Sequence, residues 1–216
     1  MLAGLFGLLL LAQIRQPFPQ TAPLHHLPTL ALLLAGPFLL RRWPLSDTAL
    51  GCVVLFFVLH TIGGRYTYTA VPYDALARAL TGQTVTEAFG FDRNHYDRLV
   101  HFAYGLLAVL PVSEALQLHL GLRRRTATYI AVESVLAVSL LYEVFEWLLT
   151  LTMKGPLADA YNGQQGDIWD AQKDMALAAS GALLATLFLR LKRRYDVRRD
   201  ERRLRLRADP VSGEGG

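Results

Sequence analysis

Residues 48–64 read TALGCVVLFFVLHTIGG, a stretch with no acidic residue, lysine or arginine anywhere in it. A soluble helix keeps one wet face and interrupts its apolar positions with charge every three or four residues. An unbroken apolar run of this length instead suits the thickness of a bilayer core. MALAASGALLATLFLRL at 175–191 repeats the pattern, with Arg190 near its end. Hydrophobic residues make up 52% of the 216-residue chain, a fraction that a globular domain also reaches. Their collection into such runs decides the matter, and the expected fold class is all-α, a polytopic membrane helix bundle.

Extending this reading in both directions places about six transmembrane helices at roughly 1–14, 27–43, 45–62, 99–120, 126–153 and 168–191. The first covers only about 21 Å of a core about 30 Å thick, so it needs a thinned bilayer to span. It lacks the basic flank and small-residue cleavage pattern of a signal peptide and is read as retained. Pro28, Pro37 and Pro111 fit helix starts or kinks that neighbouring helices absorb. Arg41 and Arg42, Arg123 to Arg125 and the tail RLKRRYDVRRDERRLRLRADP all fall on one side. The positive-inside rule makes that side, and with it both termini, cytoplasmic. The expected division is a transmembrane domain over 1–194 and a basic cytoplasmic tail over 195–216, helical at first and disordered in DPVSGEGG. The third loop, roughly 63–98, is too long for a plain connector, and its tyrosines and helix-like YDALARAL predict a segment lying along the outer interface.

The formal net charge of +4 does not point to nucleic acid, because much of the excess sits in the tail directly after an apolar helix. Membrane lipids are the expected partners, anionic headgroups facing that tail. Cys52 is the single cysteine, has no partner for a disulfide, and reads as a small buried hydrophobe. The sequence says nothing of the oligomeric state.

Polar residues recur at helical spacing in three of the spans. Asp97, His101 and Tyr104 share one face, as do Ser139, Glu143 and Glu146, and as do Asp167, Asp170 and Asp174. The topology brings all three stripes to the outer leaflet, where His60 falls at the same depth and Arg98 lies beside Asp97. Each ionisable group there costs up to about 2.5–3.5 kcal/mol unless it pairs or lines a wet cavity, so the stripes are expected to turn inward. Two accounts stay open. The groups can form a satisfied network that fixes helix packing, or they can surround a cavity that holds a cation, relays protons or grips a polar head group. For a metal, the candidates are His101, Glu143, Glu146, Asp170 and Asp174, a mixed set that suits a divalent cation such as Zn, Mn or Fe. No paired-His motif supports a particular metal, and no catalytic residue is assigned. His25, His26 and His119 read as interfacial, Glu114 and Glu133 as partners of Arg123 to Arg125, and Gly63 and Gly64 as turn formers. Gly181 reads as a point of close helix packing.

HTIGGRYTY (60–68), FDRNHYDRLVHFAYGLL (91–107), LLYEVFEW (140–147) and YNGQQGDIWDAQKDMAL (161–177) occur in this order and spacing. In these motifs the chain resembles the YjdF-type family of bacterial inner-membrane proteins, from about residue 30 to about 190. A fainter similarity is to VanZ-like membrane proteins, echoed by Asp97, Arg98, His101, Phe102, Tyr104, Glu143, Glu146, Asp167, Asp170 and Asp174. That pattern usually has Lys where Arg98 stands, Gln near Glu146 and Asn near Asp174. The first resemblance implies a multi-pass protein of the inner membrane, and the second a role in the cell envelope. Neither implies a defined reaction, so whether the chain is an enzyme stays open. The leading expectation is an outer-leaflet cavity that binds a lipid or envelope-precursor head group together with a cation, with Asp97 orienting His101 and Arg98 facing an anionic group. The alternatives are a proton- or ion-coupled transporter of a small solute and a non-catalytic assembly partner.

Overall fold

The computed structural model describes residues 1–152 and 161–208, with side chains through residue 201. It consists of α1 (Leu2–Gln13), α2 (Ala22–Arg42), α3 (Asp47–Arg65), α4 (Tyr73–Thr81), α5 (Val85–Phe89), α6 (Tyr96–Leu120), α7 (Arg124–Thr152) and α8 (Asp170–Ala208). Five of these, α2, α3, α6, α7 and α8, are long and apolar enough to cross a membrane. α1 has only 12 residues, about 18 Å of helix, and makes up the sixth short element. The chain is an all-α, multi-pass membrane bundle.

α6 is the hub. It packs against α8, α7 and α3, while α1 and α2 reach it only through α3. The α6–α8 contact depends on absent side chains. A Cβ built on Gly105 would overlap the carbonyl of Ala178, and one on Gly181 would overlap the carbonyl of Phe102. In lipid, where apolar side chains gain nothing by leaving water, such backbone proximity is what makes helices associate. Below this contact Val109, Ala131, Val135, Ala178, Ala182 and Ala185 form a dry core shared by α6, α7 and α8.

Contacts at the helix ends fix the register of the bundle. At the end of the bundle where α2 passes to α3, the Ser46 hydroxyl donates to Glu114 Oε2 at 2.7 Å, and the Ser46 amide donates to the same carboxylate. Ser46 is also the N-cap of α3, accepting from the Ala49 amide, so Glu114 positions a helix start and is not the expected partner of Arg123 to Arg125. Glu133 is exposed on α7. At the opposite end, Arg65 at the close of α3 donates to the Ala12 carbonyl at 2.6 Å, satisfying a carbonyl that the end of α1 leaves free.

Two expectations need correction. The second span begins at Ala22, not near 27, because Pro23 sits in the first turn, where a helix tolerates a missing N–H. That extra turn places His25 and His26 inside the helix and buries them, so they are not interfacial loop residues. Gly63 and Gly64 are helical and do not form a turn. A Cβ on Gly64 would stand 2.9 Å from His25 Cβ, and one on Gly63 would overlap the Tyr68 ring. Their lack of a side chain is what lets α2 and the segment after α3 close in.

The third loop folds into α4 and α5, which expose Leu76, Leu80 and Phe89. Thr84 and Glu87 form a reciprocal capping box at the start of α5, and Arg78 pairs with Glu87 at 2.7 Å. α8 continues unbroken for 39 residues, about 58 Å, roughly twice the depth of a hydrocarbon core. Its basic residues from Arg190 to Arg199 all stand exposed. The expected disorder of DPVSGEGG at 209–216 lies outside the described residues, as does residue 153 at the expected end of the fifth span.

Candidate functional site

The polar residues gathered around the start of α6 divide into two sets, one ion-paired and one not. The first is an ion-pair network, in which only the Nε atoms of Arg93 and Arg98 are buried without a partner. Arg93 donates to Asp170 Oδ1 at 2.5 Å, to the Gln164 carbonyl at 2.9 Å and to the Gly163 carbonyl at 3.1 Å. Arg98 bonds Asp167, comes within 3.5 Å of Asp170, and lies 3.2 Å from His95 Nδ1. Lys173 donates to Asp167 at 2.6 Å. Around these pairs the segments 92–95 and 163–167 clasp each other: the Asn94 amide donates to Gln165 Oε1 at 3.1 Å, and Gln165 Nε2 donates to the Asn94 carbonyl at 2.9 Å. Gln165 takes a left-handed conformation between Gly163 and Gly166 to make this clasp. Asp167, partly exposed, is held down to about 2 by the Lys173 ammonium, the Trp169 amide and the Arg98 guanidinium.

The second set lies deeper and has no such partners. Asp97 and His101 on α6 and Glu143 on α7 meet Asp174 on α8. His101 Nε2 is 3.7 Å from Asp97 Oδ1 and 3.6 Å from Glu143 Oε1. One ligand-capable atom each of Asp97, His101 and Asp174 lies within 4.8 Å of the others. His101, Glu143 and Asp174 are buried, Asp174 to 2% exposure. Among the described residues no lysine or arginine nitrogen comes within 4.0 Å of Asp97, Glu143 or Asp174. Glu143 Oε1, Asp174 Oδ1 and the nearby Ser139 hydroxyl are buried without a hydrogen-bond partner. Unsatisfied acceptors of this kind are uncommon in a folded interior and call for a specific reason.

Of the residues expected at the site, then, the structure brings Asp97, His101, Glu143 and Asp174 together. It sends Arg98, Asp167 and Asp170 into the ion-pair network. Glu146 is half-buried one turn outward from Glu143. Tyr104 is half-buried and packs against Phe56 at 5.4 Å between ring centres. His60 accepts from, or donates to, the Tyr68 hydroxyl through Nδ1 at 2.6 Å, while its Nε2 is buried without a partner.

A cavity of about 550 Å³ reaches His60, Asp97, His101 and Tyr104 among these groups. It lies against α6 between α3 and α7. His60, Tyr68, Asp97, His101, Ser139 and Tyr142 line its polar end. The remainder is apolar, bounded by such residues as Phe56, Phe57, Leu107 and Val112, and it continues to Ala115 and Leu45 near the C-terminal end of α6 and the start of α3. From Asp97 to Ala115 along α6 the distance is about 27 Å, most of a hydrocarbon core. Cys52 lines this cleft half-buried and is not enclosed in the core.

The sequence reading missed a second polar layer behind His60. Gln13 Nε2 donates to His26 Nδ1 at 2.8 Å, and the other ring nitrogen of His26 faces the Thr61 carbonyl at 3.3 Å, which together set a neutral Nε2–H tautomer. His25 stacks on Tyr161 at 4.4 Å and meets Tyr68 edge-on at 5.3 Å. The signal for this layer was Pro23, which marks a helix start and so carries His25 and His26 inward. Arg93 was also missed as a site-building residue, because nothing in its neighbourhood distinguishes it from a solvated loop arginine.

The chain is 38% identical over 150 residues, 69% of its own length and 68% of the relative's, to the Inner membrane protein YjdF of Escherichia coli (strain K12). No solved structure matches it. Residues 1–194 match the family described as Predicted membrane protein (DUF2238). With both the relative and the apolar helices pointing to a multi-pass protein of the inner membrane, the chain belongs to the DUF2238 membrane protein family.

Proposed function

We propose that this protein binds a membrane amphiphile, its polar head among His60, Asp97, His101 and Ser139 at the outer leaflet and its hydrocarbon chain along α6. The observation that carries this reading is the shape and polarity of the cleft beside α6: an apolar trough of membrane depth that ends at buried polar atoms with no partner. Ligand pockets combine such an apolar lining with a few convergent polar groups. A phosphate-bearing head, of a phospholipid or a lipid-linked envelope precursor, would approach the carboxylates of Asp97, Glu143 and Asp174 together with a cation. Arg98 serves the head group only indirectly, by holding Asp167 and Asp170 so that the outer rim keeps its shape.

The transporter reading is weaker for a structural reason. A solute path needs polar groups across the midplane, and the interface of α6, α7 and α8 at that depth is the dry core of Val109, Ala131, Val135 and Ala182. The basic tail of 195–216 is read as a cytoplasmic extension facing anionic headgroups, separate from the cleft.

Cys52 provides the test, since it is the sole cysteine and lines the trough. Delipidated protein in detergent is alkylated with N-ethylmaleimide and the adduct followed by intact mass. Adding dioleoyl phosphatidylglycerol should slow alkylation several-fold, and Ala108→Trp, which fills the trough, should abolish that protection. Unchanged alkylation with this lipid and with phosphatidylethanolamine would remove the proposal.

A further inference from the structure

We infer that Asp97, His101 and Asp174 form a site for one divalent first-row transition-metal ion, with Glu143 beside it as an added acceptor. The argument rests on geometry and on charge. An ion with bonds of about 2.1 Å holds neighbouring ligand atoms about 3.0–3.4 Å apart. His101 Nε2 stands 3.7 Å from Asp97 Oδ1 and 3.6 Å from Glu143 Oε1, and Asp174 brings a carboxylate oxygen within 4.8 Å of the Asp97 and His101 ligand atoms, so rotamer-scale shifts of up to about 1.5 Å bring the three into register. Neither separation is a hydrogen bond, and among the described residues no lysine or arginine nitrogen comes within 4.0 Å of the three gathered carboxylates.

Two independent observations direct this space towards a ligand. Glu143 Oε1 and Asp174 Oδ1 are buried without a partner, and the side chain of Glu143 is only 8% exposed. The arginines that would otherwise neutralise the acids are committed elsewhere, Arg93 to Asp170 and Arg98 to Asp167. A divalent ion supplies the missing positive charge and accepts the orphaned oxygens as donors.

The ligand types narrow the metal. Carboxylate oxygens alone would suit Ca²⁺ or Mg²⁺, but an imidazole among them favours Mn²⁺, Fe²⁺ or Zn²⁺. Three protein ligands leave coordination positions open, and the site borders the polar end of the cleft, since both Asp97 and His101 line it. The ion would therefore join the carboxylates to the phosphate of a bound head group, an extension that rests on the amphiphile reading above. The ion site itself does not depend on that reading.

The test uses the full chain in lipid-free detergent after chelation. Mn²⁺ binding is followed by loss of its free electron paramagnetic resonance signal, and Zn²⁺ binding by calorimetry. Wild-type protein should take up one ion, and His101→Gln and Asp174→Asn should each weaken it by at least about tenfold. Glu114→Gln, an acid at the opposite end of the bundle, should leave it unchanged. Both site variants preserve side-chain volume, and elution and helicity show that they fold; if one does not, Asp97→Asn is read in its place. No uptake by the wild-type protein, or site variants that bind like it, overturns the inference. Ion binding with no lipid protection of Cys52 supports the ion and overturns only the amphiphile reading; protection without ion binding does the reverse.

Discussion

Arg93→Ala should be among the most damaging single changes outside the helices. Its guanidinium is 6% exposed, and the Asp170 carboxylate it bonds at 2.5 Å is 4% exposed. Breaking a buried pair by removing one member costs about 3–5 kcal/mol, mostly because the other charge is left without compensation. The Gln164 and Gly163 carbonyls lose a charged donor as well, at about 1.5–3 kcal/mol per bond when no substitute arrives. Two effects reduce the total. Arg98 lies 3.5 Å from the same Asp170 oxygen and can move in, and carbonyls at the end of the bundle can be hydrated. A net loss of about 2–4 kcal/mol follows. Arg93→Lys retains the charge but not the forked donor that reaches a carboxylate and two carbonyls at once, so it should lose roughly 1–2 kcal/mol. Reversible unfolding in mixed micelles, followed by circular dichroism, measures both. A double-mutant cycle with Asp170→Asn isolates the pair and should return a coupling above about 1 kcal/mol. If Arg93→Ala stays within about 0.5 kcal/mol of the wild type, or the cycle returns no coupling, the clasp between residues 92–95 and 163–167 is not what holds the outer end together.

Gly181→Ala would drive its Cβ into the Phe102 carbonyl and set it 2.7 Å from the Leu106 amide nitrogen; since ordinary contact begins near 3.5 Å, α6 and α8 must part by an ångström or more, at a cost of about 1–3 kcal/mol. Gly51→Ala, which meets nothing within 4 Å, is the control, and equal melting temperatures for the two would contradict the packing described. Acid sensitivity follows from Asp167, whose carboxyl is held down to about 2, first by Lys173. A folded value below the unfolded one of about 3.9 means that its stabilisation is complete above that pH and is lost as pH falls towards 2. The wild type should therefore lose stability over that window, and Asp167→Asn should start less stable and show a shallower decline; parallel curves would discount the Lys173 and Arg98 pairs.

The sequence by itself determined the class of fold, because burial in lipid leaves a linear signature. A helix in hydrocarbon must satisfy its backbone internally and present apolar side chains all round, and that requirement shows in each run whatever the neighbours are. It also determined that polar faces exist on α6, α7 and α8, since helical spacing alone sets which residues share a face. Gly181 was readable as a packing point for the same local reason.

What only the tertiary structure decided was which polar groups find partners. Asp170 and Asp174 are one turn apart on the same helix and look equivalent in the sequence, yet Asp170 meets two arginines while Asp174 turns towards His101. Arg93 gives no sign of its role in its own neighbourhood, because its partners lie some 70 residues away in the chain. Gly63 and Gly64 read as a turn until the ring of Tyr68 and the backbone-proximal atoms of His25 are placed against them. The physical reason is common to all three. Hydropathy and periodicity are properties of one helix at a time, whereas ion pairing, close approach and an orphaned acceptor are properties of two or three helices at a particular rotation and depth. Those rotations were fixed by the bare backbone contact of Gly105 and Gly181, and with them the gathering of three carboxylates and one imidazole beside a cleft.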